Sequence, residues 1–307
     1  MTEITQERNQ ERKEPLTAEF GSQLGSPPIK GLHNEIDLFE EVTLPDKRIL
    51  SIINLVLQTA FLKSQTKPIS LLIMGQPGSG KSRILAPLSR LDYVEYATDI
   101  TPTYLVEFLR KVERGEKKFL VIPDYTNCTA HSKSTRATLT AYLRNMTEEG
   151  VSNISAYRLE FKSKAPVRAG LITAVTTSSF KEFKTAWRRT GFLSRLLPFS
   201  FTHSLQTKNE IMKAIDSRLA TPLGETRLNV VKRPKEVIWH PELLEQLRVY
   251  EEYLGKWSDA TPYRAQIQLN ALVEALAVRK GDSEIKQEHV SAITQLCHWV
   301  NHDFREL

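Results

Sequence analysis

Eight consecutive residues constrain this chain more than any others: Gly75-Gln76-Pro77-Gly78-Ser79-Gly80-Lys81-Ser82. Gly75, Gly78 and Gly80 let the backbone curl so that successive N–H groups point inward, where they can meet phosphate oxygens. The apolar run Ser70–Met74 before the loop reads as a buried strand, and Ser82–Ser89 after it reads as the start of a helix. Strand, glycine loop and helix in that order form the context in which this spacing binds a nucleotide's phosphates. The helix dipole favours an anion at its start. Lys81 is placed to reach the terminal phosphates, and Ser82 offers a hydroxyl to magnesium. The expected nucleotide contacts are Gly75, Gln76, Pro77, Gly78, Ser79, Gly80, Lys81, Ser82 and Arg83, with ATP and Mg2+ as the ligands.

The segments around the loop alternate between strand and helix signals, which predicts an α/β fold with a parallel sheet flanked by helices. A helix is expected from Asp46, where Ile49, Ile52, Ile53, Leu55, Val56, Ala60 and Leu62 recur near helical spacing. Val94–Ala97 and Phe119–Ile122 read as further strands. Thr101-Pro102 reads as a cap and first turn leading into Thr103–Val112. Ser134–Glu149 reads as a helix and Leu171–Thr177 as another buried strand. Between them Ile154–Phe161 alternates, a basic turn is expected at Lys162–Pro166, and a return strand starts at Val167. Beyond a linker at Leu223–Lys235, the helices Pro241–Leu254, Thr261–Arg279 and Gln287–Asn301 form a small helical unit. In the middle one, Leu269, Leu272, Val273 and Leu276 mark a packing face. The expected division is a polar, disordered tail over 1–30, an ATPase domain over 31–227 and a helical lid domain over 228–307.

Phe119–Ile122 runs into Pro123-Asp124. An aspartate at the carboxyl edge of the sheet, beside the glycine loop, can hold magnesium through water. The following residue, where a glutamate would polarise the attacking water, is Tyr125; Asp99, Asn127 and Glu149 remain open as its replacement.

The net charge of +6 is unevenly spread. Nine basic residues fall between Arg158 and Arg195, opposed only by Glu160 and Glu182. Such a stripe attracts polyphosphate, whether nucleotide or nucleic acid, or is a solvated face. No apolar run approaches the roughly 20 residues that span a bilayer. Cys128 and Cys297 lie far apart in no paired motif, so both are read as reduced thiols in a cytoplasmic protein. Cys297, His298 and His302 have metal-compatible spacing but no fourth ligand nearby. Trp187 and Trp299 are read as packing residues.

This order of parts resembles an AAA+ ATPase. Thr176 and Thr177 end a strand where that family keeps its polar sensor 1 residue. Gly191-Phe192-Leu193-Ser194-Arg195 is similar to the segment that carries the arginine finger, and Arg264 opens a lid helix in the place of sensor 2. Within AAA+ the core looks most like the MCM helicases, from about residue 35 to 300, including a basic hairpin before sensor 1 and His289-Val290 at a late helix start. The MCM zinc and oligonucleotide-binding module, the winged helix and the usual catalytic glutamate have no counterpart. The resemblance implies a DNA-acting motor in replication, a homo-oligomeric ring (a hexamer), and Arg158, Lys162 and Lys164 gripping the DNA backbone. Catalysis would fall to Lys81, Asp124, Arg195, Arg264, Thr176 and Thr177. The alternative is an ATP-dependent assembly switch with slow hydrolysis and no unwinding.

Overall fold

A computed structural model describes residues 47–156, 159–203, 205–216, 228–234, 236–257 and 262–296. The tail over 1–30, Arg158, Thr261, Cys297, His298, Trp299 and His302 lie outside the described residues.

The elements run in the order α1 (Lys47–Thr59), β1 (Ser70–Gly75), α2 (Lys81–Leu85), β2 (Val94–Tyr96), α3 (Pro102–Glu113), β3 (Phe119–Ile122), α4 (Thr126–Thr129), α5 (Lys133–Thr147), β4 (Val151–Ala156), β5 (Leu159–Val167), β6 (Gly170–Thr176), α6 (Thr177–Arg189), β7 (Leu196–Ser200), α7 (Leu205–Asp216), α8 (Pro241–Trp257), α9 (Pro262–Lys280) and α10 (Gln287–Leu296). Five strands form one parallel sheet in the order β2-β3-β6-β1-β7. Every residue of β1 and β3 is buried, as expected for strands covered on both faces. The register sets Gly75 beside Thr176 and Ser70 beside Leu196. Pro198 lies on β7, which ends the sheet, so its missing N–H breaks no ladder on an inner strand.

Local signals explain most of the helix starts. Thr101 Oγ accepts from Tyr104 N at 3.2 Å with Pro102 in the first turn, Ser132 Oγ accepts from Thr135 N, and Thr176 Oγ accepts from Ser179 N. Four sequence expectations need correction. The helix after the glycine loop stops at Leu85 and tightens into a 3-10 turn over Ala86–Arg90. Pro87 has no N–H to continue an α-helix there. Lys162–Pro166 is not the hairpin's turn: Ala156 already pairs with Leu159, and Lys162 pairs with Asn153 inside β5. Phe161 drives this register, because it buries with Ile154 against the core and leaves Lys162 and Lys164 on the outer face. The expected linker is docked over its described part. Leu228 is buried, and the Val231 backbone exchanges two hydrogen bonds with the Gln58 side chain at 2.8 and 3.0 Å. Helix α9 packs against α1, α8 and α10, and over residues 271–278 it is buried on every side rather than on one face, while Tyr263 and Ile267 near its start are exposed. Helix α7 had no counterpart in the sequence reading.

Candidate functional site

The glycine loop leaves β1 at Gly75, where the strand is already tight: a Cβ on Gly75 would lie 3.0 Å from Ser79 Oγ and 3.2 Å from the Phe201 ring. Gly78 and Gly80 both adopt positive φ, 73° and 82°, a conformation that costs glycine nothing and other residues a good deal. The chain thereby turns within five residues and delivers Lys81 to the loop's interior. The Lys81 ammonium donates to Gly75 O at 2.9 Å, Gln76 O at 2.7 Å and Ser79 Oγ at 3.3 Å. Burial lowers its pKa from that of an ordinary lysine, and the charge on Asp124 opposes the shift. His203 Nε2 meets Ser79 O at 3.0 Å and braces the loop from the segment after β7. Gln76, Pro77, Gly78, Gly80, Ser82 and Arg83 are exposed along the loop and the first turn of α2.

Asp124 follows β3 at the same edge. Its carboxylate accepts from Thr126 N at 3.0 Å, and its electrostatic coupling to Lys81 ties it to the loop. Ser82 and Asp124 supply a hydroxyl and a carboxylate, both hard oxygen donors of the kind magnesium takes. Thr176 stands beside Gly75 at the end of β6, the strand between β1 and β3. Its hydroxyl also bonds Ser178 and Ser179 as the cap of α6, and Thr177 is the first residue of that helix.

Tyr125 points away from this edge. It is 1% exposed, and its ring packs edge-on to Trp187 at 5.3 Å and tilted against Phe192 at 5.8 Å. Asp124 and Tyr125 therefore diverge: one faces the loop, the other fills the core. Of the three residues left open as catalytic base, Asn127 donates its amide to Thr98 O at 3.0 Å. Asp99 accepts from Ile100 N at 2.8 Å and meets His131 at 2.9 Å. Both lie at the carboxyl edge. Cys128 sits buried near Asp99, and burial, with the two carboxylates Asp99 and Asp124, pushes its thiol up to about 12.

Glu149 is elsewhere, at the amino end of the sheet, and so are both arginines picked out by sequence. Arg195 precedes β7, whose first residue pairs with the first residue of β1. Six residues of extended strand put roughly 17 Å between that end and the glycine loop. Arg195 donates to Gly191 O at 2.6 Å and to Glu149 Oε1 at 2.8 Å, with its side chain 9% exposed. Burial alone would raise the Glu149 carboxyl, but its own backbone N–H, Arg195 and Arg144 together bring it below the usual range. Arg264 donates to Ser194 Oγ at 2.7 Å and lies 3.7 Å from Glu148. Arg195 and Arg264 line one small cavity with Lys67 and Gln268. Lys162 and Lys164 are exposed on β5, whose buried face packs along α3, where Arg110 donates to Glu160 O at 2.8 Å.

Sequence reasoning missed the bracing residues Phe201 and His203, which follow no motif, and the meeting of Arg195 with Arg264, which are 69 residues apart. No protein-family model matches the chain, and no curated protein matches it. Among the described residues, no helix is long and apolar enough to cross a membrane.

Proposed function

We propose that this chain is a P-loop ATPase of the AAA+ type that binds ATP at Gly75–Arg83 and acts on DNA as an assembly switch. In that role, nucleotide occupancy matters more than rapid turnover. The observation that carries the reading is the Lys81 ammonium held at the centre of a loop built on two positive-φ glycines, beside Asp124. A lysine so placed can exchange its backbone acceptors for the more strongly charged oxygens of a triphosphate. Ser82 and Asp124 would hold magnesium, which neutralises charge on the phosphates. Slow turnover is supported by Tyr125, whose side chain is committed to the core.

A ring or filament is part of the proposal, because Arg195 and Arg264 stand roughly 17 Å from their own loop. Action on a phosphate would require the loop of a neighbouring subunit. Exposed apolar groups beside them favour such a contact: Tyr263 is 75% exposed, and Ile267, which lines the same cavity, is 42% exposed. The second reading, an MCM-like helicase motor in a hexameric ring, is favoured by the position of the β4–β5 hairpin between α5 and β6, with Lys162 and Lys164 exposed on it. The helical lid domain over 228–307 belongs to both readings.

Steady-state ATP hydrolysis, with and without single-stranded DNA at low and moderate salt, decides between them. The switch predicts tight ATP binding with slow turnover that DNA changes little. Strong, salt-sensitive stimulation would transfer the proposal to the motor. Mixing inactive Lys81→Ala and Arg195→Ala chains tests assembly: recovered turnover supports a shared interface, and none removes that support.

A further inference from the structure

The parallel sheet brings three pre-strand segments to one edge. Lys67 comes from the segment before β1, Lys117 and Lys118 from the one before β3, and Arg168 from the turn before β6. These four cations surround a half-open cavity of about 240 Å³, with Gln65 and Thr66 among its polar walls. No carboxylate lines it among the described residues. We propose that this cavity is a second anion site, built for phosphoryl groups and distinct from the glycine loop at the other end of β1.

The partners of the four cations support this reading. Lys117 donates to Val94 O at 2.7 Å and lies 3.7 Å from Glu95, but the same carboxylate also takes Lys111 and the Tyr104 hydroxyl. Lys67 pairs with Glu148, whose backbone oxygen accepts from Arg168 Nε at 3.1 Å. The Lys118 ammonium sits over the Phe61 ring at 5.2 Å. Each of the two carboxylates thus serves two cations, Glu95 taking Lys111 and Lys117 and Glu148 taking Lys67 and Arg264, while Arg168 is held by a backbone oxygen and Lys118 by a ring. The four cations of the cavity are half-buried, so positive potential is focused into it rather than dispersed in solvent. The volume falls below the roughly 300–1,000 Å³ of a site that encloses a whole organic ligand. It suits one or two tetrahedral oxyanion groups. Arg168 adds a planar donor fork, and the lysines add point charges from other sides, the combination that recognises phosphate oxygens. Such groups come either from a free pyrophosphate-type anion or from the backbone of a nucleic acid. Lys67 also borders the cavity of Arg195 and Arg264, so the cations form a continuous belt along this edge.

The test uses the full chain carrying Lys81→Ala, which silences the glycine loop. Pyrophosphate at low salt is expected to raise its melting temperature by about 3–6 °C at saturation. Adding Lys118→Gln or Arg168→Gln should remove most of that rise, whereas Lys133→Gln, exposed at the start of α5, should keep it. Lys118→Met, which retains an apolar stem against Phe61, separates lost charge from lost packing. Anisotropy titration with a short oligo-dT then assigns the source. A tenfold or greater loss in the Lys118 and Arg168 variants identifies backbone phosphates; unchanged oligo-dT binding beside lost pyrophosphate binding identifies a free anion. No melting shift with pyrophosphate, or a shift that Lys118→Gln, Lys118→Met and Arg168→Gln all retain, overturns the proposal.

Discussion

At the carboxyl end of β1 one lysine is held by backbone oxygens inside a tight loop, with Asp124 as its countercharge. At the amino end Lys67, Arg168, Arg195 and Arg264 crowd around Glu148 and Glu149. In the first arrangement the lysine's own cradle is local in sequence: the eight residues from the end of β1 to the start of α2 create it, and only Asp124 arrives from another strand end. The second is assembled from segments before β1, after α5, before β6, before β7 and at the start of α9. The same parallel sheet generates both, since its strands all begin at one edge and end at the other. The contrast teaches that a motif reveals chemistry built by the backbone, whereas chemistry built by convergent side chains emerges only once the register is known.

The contrast can be broken or sharpened by substitution. The largest effect is expected at Tyr125. Replacing it with glutamate, which a simple motif view would call a repair, buries a charge among Trp187 and Phe192. Urea denaturation should show a loss of about 3–5 kcal/mol and no gain in turnover. Next is Lys81→Ala, which should weaken nucleotide binding by about 2–3 kcal/mol in a calorimetric titration while leaving the fold intact. Gly75→Ala should cost about 1–2 kcal/mol of thermal stability, because its Cβ would crowd Ser79 Oγ and the Phe201 ring. The smallest effect concerns pH. Lys81 binds phosphate as a cation and its pKa is already lowered, so magnesium-free ADP binding should fade on the alkaline side before an ordinary lysine would lose its proton. Asp124 opposes that shift, so Asp124→Asn should move the alkaline limb to still lower pH.

Much of the carboxyl end was legible in sequence. Buried strands announced themselves as apolar runs, and Thr101-Pro102 marked a helix start that the structure bears out. The failures have physical causes. The alternation in Ile154–Phe161 spans the end of β4 and the start of β5, because both strands of a hairpin share one period. Pro87 was visible, but a glycine loop creates the expectation of a full helix behind it. Helix α9 reads as amphipathic on its large residues, yet Ala265, Ala271, Ala275 and Ala277 carry the burial around the other sides. The fate of Tyr125 depends on Trp187 and Phe192, more than 60 residues downstream, and local pattern cannot reach so far. The same distance problem hid the cation belt: Arg168 and Arg195 fall in the basic stripe and Arg264 in a late helix, but nothing local joins them to Lys67, Lys117 and Lys118.

The division of labour between the two ends is most directly tested by measuring ATP affinity in three single variants of the full chain: Lys81→Ala, Arg195→Ala and Arg264→Ala. The account predicts that the first loses at least about 30-fold in affinity, while the isolated arginine variants stay within about twofold of the parent. Equal losses in all three, or an unchanged Lys81→Ala, would contradict it.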